Sequence, residues 1–145
     1  MHADPYLHIL EHTRTIAIVG LSPKPYRDSQ HVAQYLLEQG YRIVAINPSA
    51  TEILGERSWP SLTEAAKHHR IDLVDVFRDS AAVPPIADEA IAIGARALWL
   101  QIGVCHDEAL AKAQAAGLEV VQDRCTLVEH QRLRSAGLLP AGTPQ

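Results

Sequence analysis

Cysteine is nearly absent from this 145-residue chain, and two residues, Cys105 and Cys125, cannot make the disulfide framework of a small secreted domain. Aromatics are scarce too, with one Phe, two Trp and four Tyr, so Ala, Ile, Leu and Val must fill the core. No apolar run approaches the length of about 18 residues that a membrane span needs, and the start lacks the apolar stretch of a signal peptide. Nor is there a basic excess. Thirteen Lys and Arg against 17 Asp and Glu leave a net charge of −4. That argues against a broad nucleic-acid surface, but not against a local phosphate pocket, which needs only two or three cations. No Cys-x-x-Cys occurs and the eight histidines are scattered, so no metal is expected. What these absences leave is a reducing, cytoplasmic globular protein whose length suits one domain.

Against that background, three segments share one grammar, in which a helix runs into a glycine and a strand begins at once. They are Tyr35 to Gly40 before Tyr41–Ile46, Ala90 to Gly94 before Ala95–Leu100, and Ala113 to Gly117 before Leu118–Val121. A glycine there suits a helix that ends in a left-handed residue. Five strands are expected as short apolar runs at 15–19, 42–46, 73–77, 97–100 and 118–121. Runs without alternation suit strands covered on both faces, so the sheet is expected to be parallel with helices on either side. Helices are placed near 29–39, 61–69, 84–93 and 107–116, with a last one over 127–135. Ser61 and Glu64 read as a capping box, and Pro84-Pro85 suit a first helical turn. Residues 1–12 form an N-terminal helix or arm on the sheet edge, 13–137 the domain, and 138–145 a frayed tail. In this topology ligands bind where the loops leave the strand ends, and those loops hold the unusual residues.

The first loop, Gly20-Leu-Ser-Pro-Lys-Pro-Tyr-Arg-Asp-Ser29, lacks the spacing of G-x-G-x-x-G and the Gly-Lys-Ser/Thr ending of a P-loop. Lys24 and Arg27 bring two cations to a helix N-terminus, which already favours anions, and Ser29 reads as the helix N-cap. A tight turn with solvated charges is the plainer alternative. Asn47-Pro48 follows the second strand, where an ordinary NAD site has a carboxylate for the ribose. Asn47 can still bond a ribose, or the pair can simply break the strand. Phe77 and Arg78 end the third strand, offering an aromatic face and a bidentate phosphate grip, or a surface pair of Arg78 with Asp79. Gln101 and Gly103 follow the fourth strand, while Trp99 inside it reads as core. Cys125, beside Arg124 and a helix start, is either a thiol of lowered pKa or a small buried hydrophobe. Glu129 and His130 are adjacent on a helix and point apart.

Taken together, Ile18-Val-Gly-Leu-Ser-Pro-Lys-Pro25, Gly40-Tyr-Arg-Ile-Val44, Ile46-Asn-Pro48, Leu54-Gly-Glu56 with Ser61-Leu62, Val74-Asp-Val-Phe-Arg78, Trp99 to Val104 and Asp123-Arg-Cys125 resemble the CoA-binding protein family of small bacterial Rossmann-like domains. The resemblance runs from about Thr13 to His130. It implies a Rossmann-like three-layer αβα sandwich, related to the nucleotide-binding domain of the succinyl-CoA synthetase α-subunit, that binds coenzyme A. Carried over, Gly20, Leu21, Ser22, Lys24, Arg27 and Ser29 would face phosphates. Asn47 and Pro48 would line the ribose or pantetheine side, and Phe77, Arg78, Gln101 and Gly103 the cleft. Asp28 departs from the pattern, since the family often has Pro there, and it sets an acid beside the phosphate loop. The synthetase's second domain with its phosphorylatable histidine has no counterpart here, so the resemblance implies a ligand rather than a synthetase activity. The function expected is a non-catalytic or auxiliary CoA or acyl-CoA binder, a monomer or small homo-oligomer. The alternatives are an NAD(P)-dependent enzyme, with NADP less disfavoured because of Lys24 and Arg27, and a CoA-linked thiol-exchange protein using Cys125.

Overall fold

Apolar side chains alternate between two layers along every central strand, and this alternation organises the molecule. The structure, a computed structural model, describes residues 4–140. Strands β1 (Thr15–Val19), β2 (Arg42–Ile46), β5 (Leu73–Val76), β6 (Ala97–Leu100) and β7 (Glu119–Val121) pair in parallel, and β1 lies between β2 and β5. Ala17, Val19, Val44, Ile46, Val74, Val76, Leu98 and Leu100 pack into one apolar layer. Ile16, Ile18, Ala45, Leu73, Ala97, Trp99 and Val121 pack into the other. With both faces covered, a strand needs apolar residues at every position, which is why these runs show no period of two.

Helices α3 (Leu62–Ala65), α4 (Val83–Ala92) and α5 (Asp107–Ala115) supply the first layer. Helices α1 (Pro5–Glu11), α2 (Asp28–Glu38) and α6 (Thr126–Ser135) supply the second. The helix after β1 thus lies on the opposite face from the helix after β5. The crevice between these strand ends is the topological switch point, where open α/β sheets take their ligands.

The three-layer fold agrees with the expectation, but the sheet has seven strands in the order β3-β4-β2-β1-β5-β6-β7. The two additional strands, β3 (Glu52–Ile53) and β4 (Glu56–Trp59), form an antiparallel hairpin, and β4 extends the sheet in parallel with β2. Their polar, half-exposed residues carry no apolar run. The two-residue turn between them takes positive φ at both Leu54 (56°) and Gly55 (77°), the twist that tight hairpins need. Leucine at the first turn position conceals that turn in the sequence.

Other boundaries differ by smaller amounts. Helix α3 is only four residues long, and beyond it His68 stacks on Trp59 at 4.6 Å between ring centroids. Ser61 caps it by accepting from the Glu64 N–H at 3.1 Å, but the Glu64 carboxylate reaches Lys67 at 2.9 Å rather than back to Ser61. Helix α1 packs into the second layer, and its His8 bonds Glu119 of the edge strand β7 at 2.7 Å. Asp4 caps the helix, Ile9 and Leu10 are buried, and Tyr41 donates its hydroxyl to the Leu10 carbonyl at 2.8 Å. Leu139 is buried in the same layer, while 141–145 of the expected tail lie outside the described residues. Among the described residues no helix is long and apolar enough to cross a membrane.

Candidate functional site

The chain leaves β1 at Gly20, whose φ of +88° disfavours any residue with a Cβ. A Cβ there would also lie 2.5 Å from the Phe77 carbonyl oxygen and 2.9 Å from Cδ of Arg78. The chain just beyond β5 therefore passes directly over the end of β1, and the Arg78 stem covers Gly20. Beyond the glycine the loop is tied to the first turn of α2. The Ser22 N–H donates to Ser29 Oγ at 3.0 Å, and Gln30 Nε2 donates to the Ser22 carbonyl at 3.2 Å. The Lys24 N–H donates to Ser22 Oγ at 3.1 Å. Asn47 bridges to the neighbouring loop, its Nδ2 donating to the Leu21 carbonyl at 3.0 Å and its Oδ1 accepting from the Ser49 N–H at 2.8 Å.

These ties shape a cleft of about 380 Å³, lined by Gly20, Ser22, Lys24, Arg27, Ser29, Asn47 and Phe77, with Asp28. The N-cap of α2 is Arg27, and no side chain caps the helix. Its first N–H groups therefore end at the cleft without the side-chain acceptor that most helices supply, beside two cations. Ser29 is not the N-cap. It sits inside the first turn, buried, and its hydroxyl holds the loop. Leu21 is likewise turned away from the cleft, fully buried in the α2–α6 layer.

A second cleft of about 290 Å³ opens on the far side of Phe77 and Asp28, which line both. Gln101 and Cys125 reach this one, with His31, Val32, Ile102 and Leu127. The Gln101 amide is not available to a ligand as a free donor. Buried, it donates to Asp75 Oδ1 at 2.6 Å and to Thr126 Oγ1 at 3.1 Å, while the Thr126 hydroxyl donates to Asp75 Oδ2 at 2.9 Å. Asp75 is wholly enclosed at the centre of β5. Burial pushes its carboxyl up to about 7, against the lowering effect of these two hydrogen bonds.

Of the two alternatives for Cys125, the lowered pKa is not the one found. Cys125 is the half-buried N-cap residue of α6, and burial raises its thiol pKa more than the nearby backbone N–H groups lower it. Arg124 does not offset this, since its guanidinium donates to the Asp123 carbonyl at 2.7 Å. Cys105 is exposed. Pro48, Arg78 and Gly103 line neither cleft, and Gly103 braces its loop by donating its N–H to Asp123 Oδ1 at 2.8 Å.

His31, Val32, Ile102 and Leu127 escape the sequence reading because each lies within three positions of a residue that drew attention instead. Glu129 and His130 are indeed uncoupled. Glu129 pairs with Arg132 at 3.0 Å, and buried His130 meets the Tyr35 hydroxyl at 2.8 Å. His8 on α1 and His12 at its C-cap stand four apart, yet His8 bonds Glu119 and His12 bonds the His8 carbonyl. Among the described residues no three ligand-type side chains gather as a metal site would require.

Residues 14–131 match the family described as CoA binding domain. The chain belongs to that family. As a CoA binding domain it is 37% identical over 122 residues to the uncharacterized protein YneT of Bacillus subtilis, covering 84% of this chain and 89% of that protein. A solved hypothetical protein from Pyrococcus horikoshii is 39% identical with a TM-score of 0.85, over 89% of each chain. A dinucleotide-forming acetyl-coenzyme A synthetase of Ca. Korarchaeum cryptofilum aligns with a TM-score of 0.68, over 81% of this chain and 27% of that one. At 22% identity it is a likeness of fold alone. Membership of the CoA binding domain family supports an association with coenzyme A.

Proposed function

We propose that this protein binds coenzyme A or an acyl-CoA at the C-terminal ends of its parallel strands, as a binding rather than a catalytic domain. The observation that carries this is the uncapped N-terminus of α2, set with Lys24 and Arg27 on a cleft at the switch point of a CoA binding domain. Coenzyme A carries a pyrophosphate and a 3′-phosphate, and helix N–H groups with two flexible cations suit such a polyanion. An NAD reading is weaker because the residue after β2 is Asn47, whose amide already braces two loops. The binding role rests on the clefts' chemistry. Cys125 is their one thiol, and its pKa is raised rather than lowered.

Thermal unfolding with added ligand tests the reading. A ligand held at a hundred times its Kd stabilises the native state by about 2.7 kcal/mol. Coenzyme A should raise the Tm well above the value reached with equal NAD or NADP. A shift with either dinucleotide that equals or exceeds the coenzyme A shift refutes the proposal.

A further inference from the structure

The two clefts adjoin, with Phe77 and Asp28 in the lining of both, but differ in chemistry. The first holds both cations. The second holds Val32, Phe77, Ile102 and Leu127, no Lys or Arg, the His31 imidazole, and one carboxylate, Asp28. Its Gln101 amide is occupied within the protein by Asp75 and Thr126. Ile102 is 66% exposed on the rim, so it has apolar surface to lose when the cleft fills.

On the coenzyme A reading, we infer that this second cleft receives the thioester end of the ligand and selects a short, uncharged acyl-CoA over free coenzyme A and over dicarboxylic acyl-CoA. The phosphates stay with Lys24 and Arg27. From there the uncharged pantetheine arm leads past Phe77, and only a neutral end group can follow it without meeting Asp28 unpaired. The free carboxylate of such an acyl group would enter a cleft that offers it the like charge of Asp28 and no Lys or Arg. Each methylene buried against the apolar lining adds affinity of about fourfold.

Isothermal titration calorimetry on the full chain, with coenzyme A and its acetyl, butyryl and succinyl thioesters, tests this. Butyryl-CoA should bind roughly fifteenfold tighter than acetyl-CoA through its two further methylenes, and succinyl-CoA should bind more weakly than butyryl-CoA. Ile102→Ser, at an exposed loop position, should erase most of the butyryl gain and lower butyryl-CoA affinity more than free coenzyme A affinity. Equal binding of all four ligands, or tighter binding of succinyl-CoA than of butyryl-CoA, overturns the acyl inference while the coenzyme A reading stands. Failure of every one to bind removes both.

Discussion

Replacing Gly20 with alanine should be among the most damaging single-methyl additions in this protein, and its cost divides into two parts. A left-handed φ at a residue with a Cβ costs about 1–3 kcal/mol. The new methyl would also lie 2.5 Å from the Phe77 carbonyl oxygen, which is backbone at the end of β5 and cannot rotate away. Overpacking of this kind costs about 1–3 kcal/mol more. Gly94 separates the two parts. Its φ is +76°, close to that of Gly20, but nothing lies within 4 Å of a Cβ built there. Gly94→Ala should therefore bear the strain alone. With roughly 2–4 °C of Tm per kcal/mol for a domain near this size, Gly20→Ala should fall by about 10 °C and Gly94→Ala by only a few degrees. Thermal unfolding by circular dichroism measures both. Because relief of the clash must move either the first loop or the end of β5, Gly20→Ala should also lose coenzyme A affinity. Equal Tm losses for the two variants would refute the close approach of β5 to β1 on which the cleft geometry depends.

Lys24→Ala and Arg27→Ala should each weaken coenzyme A binding by about 1–3 kcal/mol in calorimetry, and Asp28→Asn should strengthen it; wild-type affinity in both alanine variants would make the first loop a mere turn. The Asp75 carboxyl has its ordinary value of 3.8 in the unfolded chain and one near 7 when folded. Its contribution to stability is thus fully present below the unfolded value and lost as pH rises through about 7. Asp75→Asn should remove that component from the urea midpoint measured between pH 5 and pH 8, and identical pH profiles for variant and wild type would contradict the assignment. At neutral pH iodoacetamide should modify exposed Cys105 before Cys125, whose thiol is disfavoured as thiolate by burial, and bound coenzyme A should slow Cys125 further. Peptide mapping that finds Cys125 labelled first would restore the reactive-thiol reading.

Features that depend on neighbours along the chain were legible in the residues alone. Apolar runs marked the five central strands, and the glycines at 40, 94 and 117, all with positive φ, marked where helices stop and strands begin. The first loop showed its cations and its missing dinucleotide fingerprint, because charge and glycine spacing are local properties. Tertiary structure decided what depends on residues distant in sequence. The β3–β4 hairpin forms on a polar segment because β2 offers β4 an open edge to pair with, and no local apolar pattern announces that. Gln101 looked like a cleft amide until β5 and α6 brought Asp75 and Thr126 within hydrogen-bond reach of it. Ser29 looked like a cap until the loop folded back and took its hydroxyl. For Cys125 the nearby arginine was legible, but its thiol pKa depends on how much water the fold removes around it. Burial is a property of the packed layers, and no stretch of sequence carries it alone.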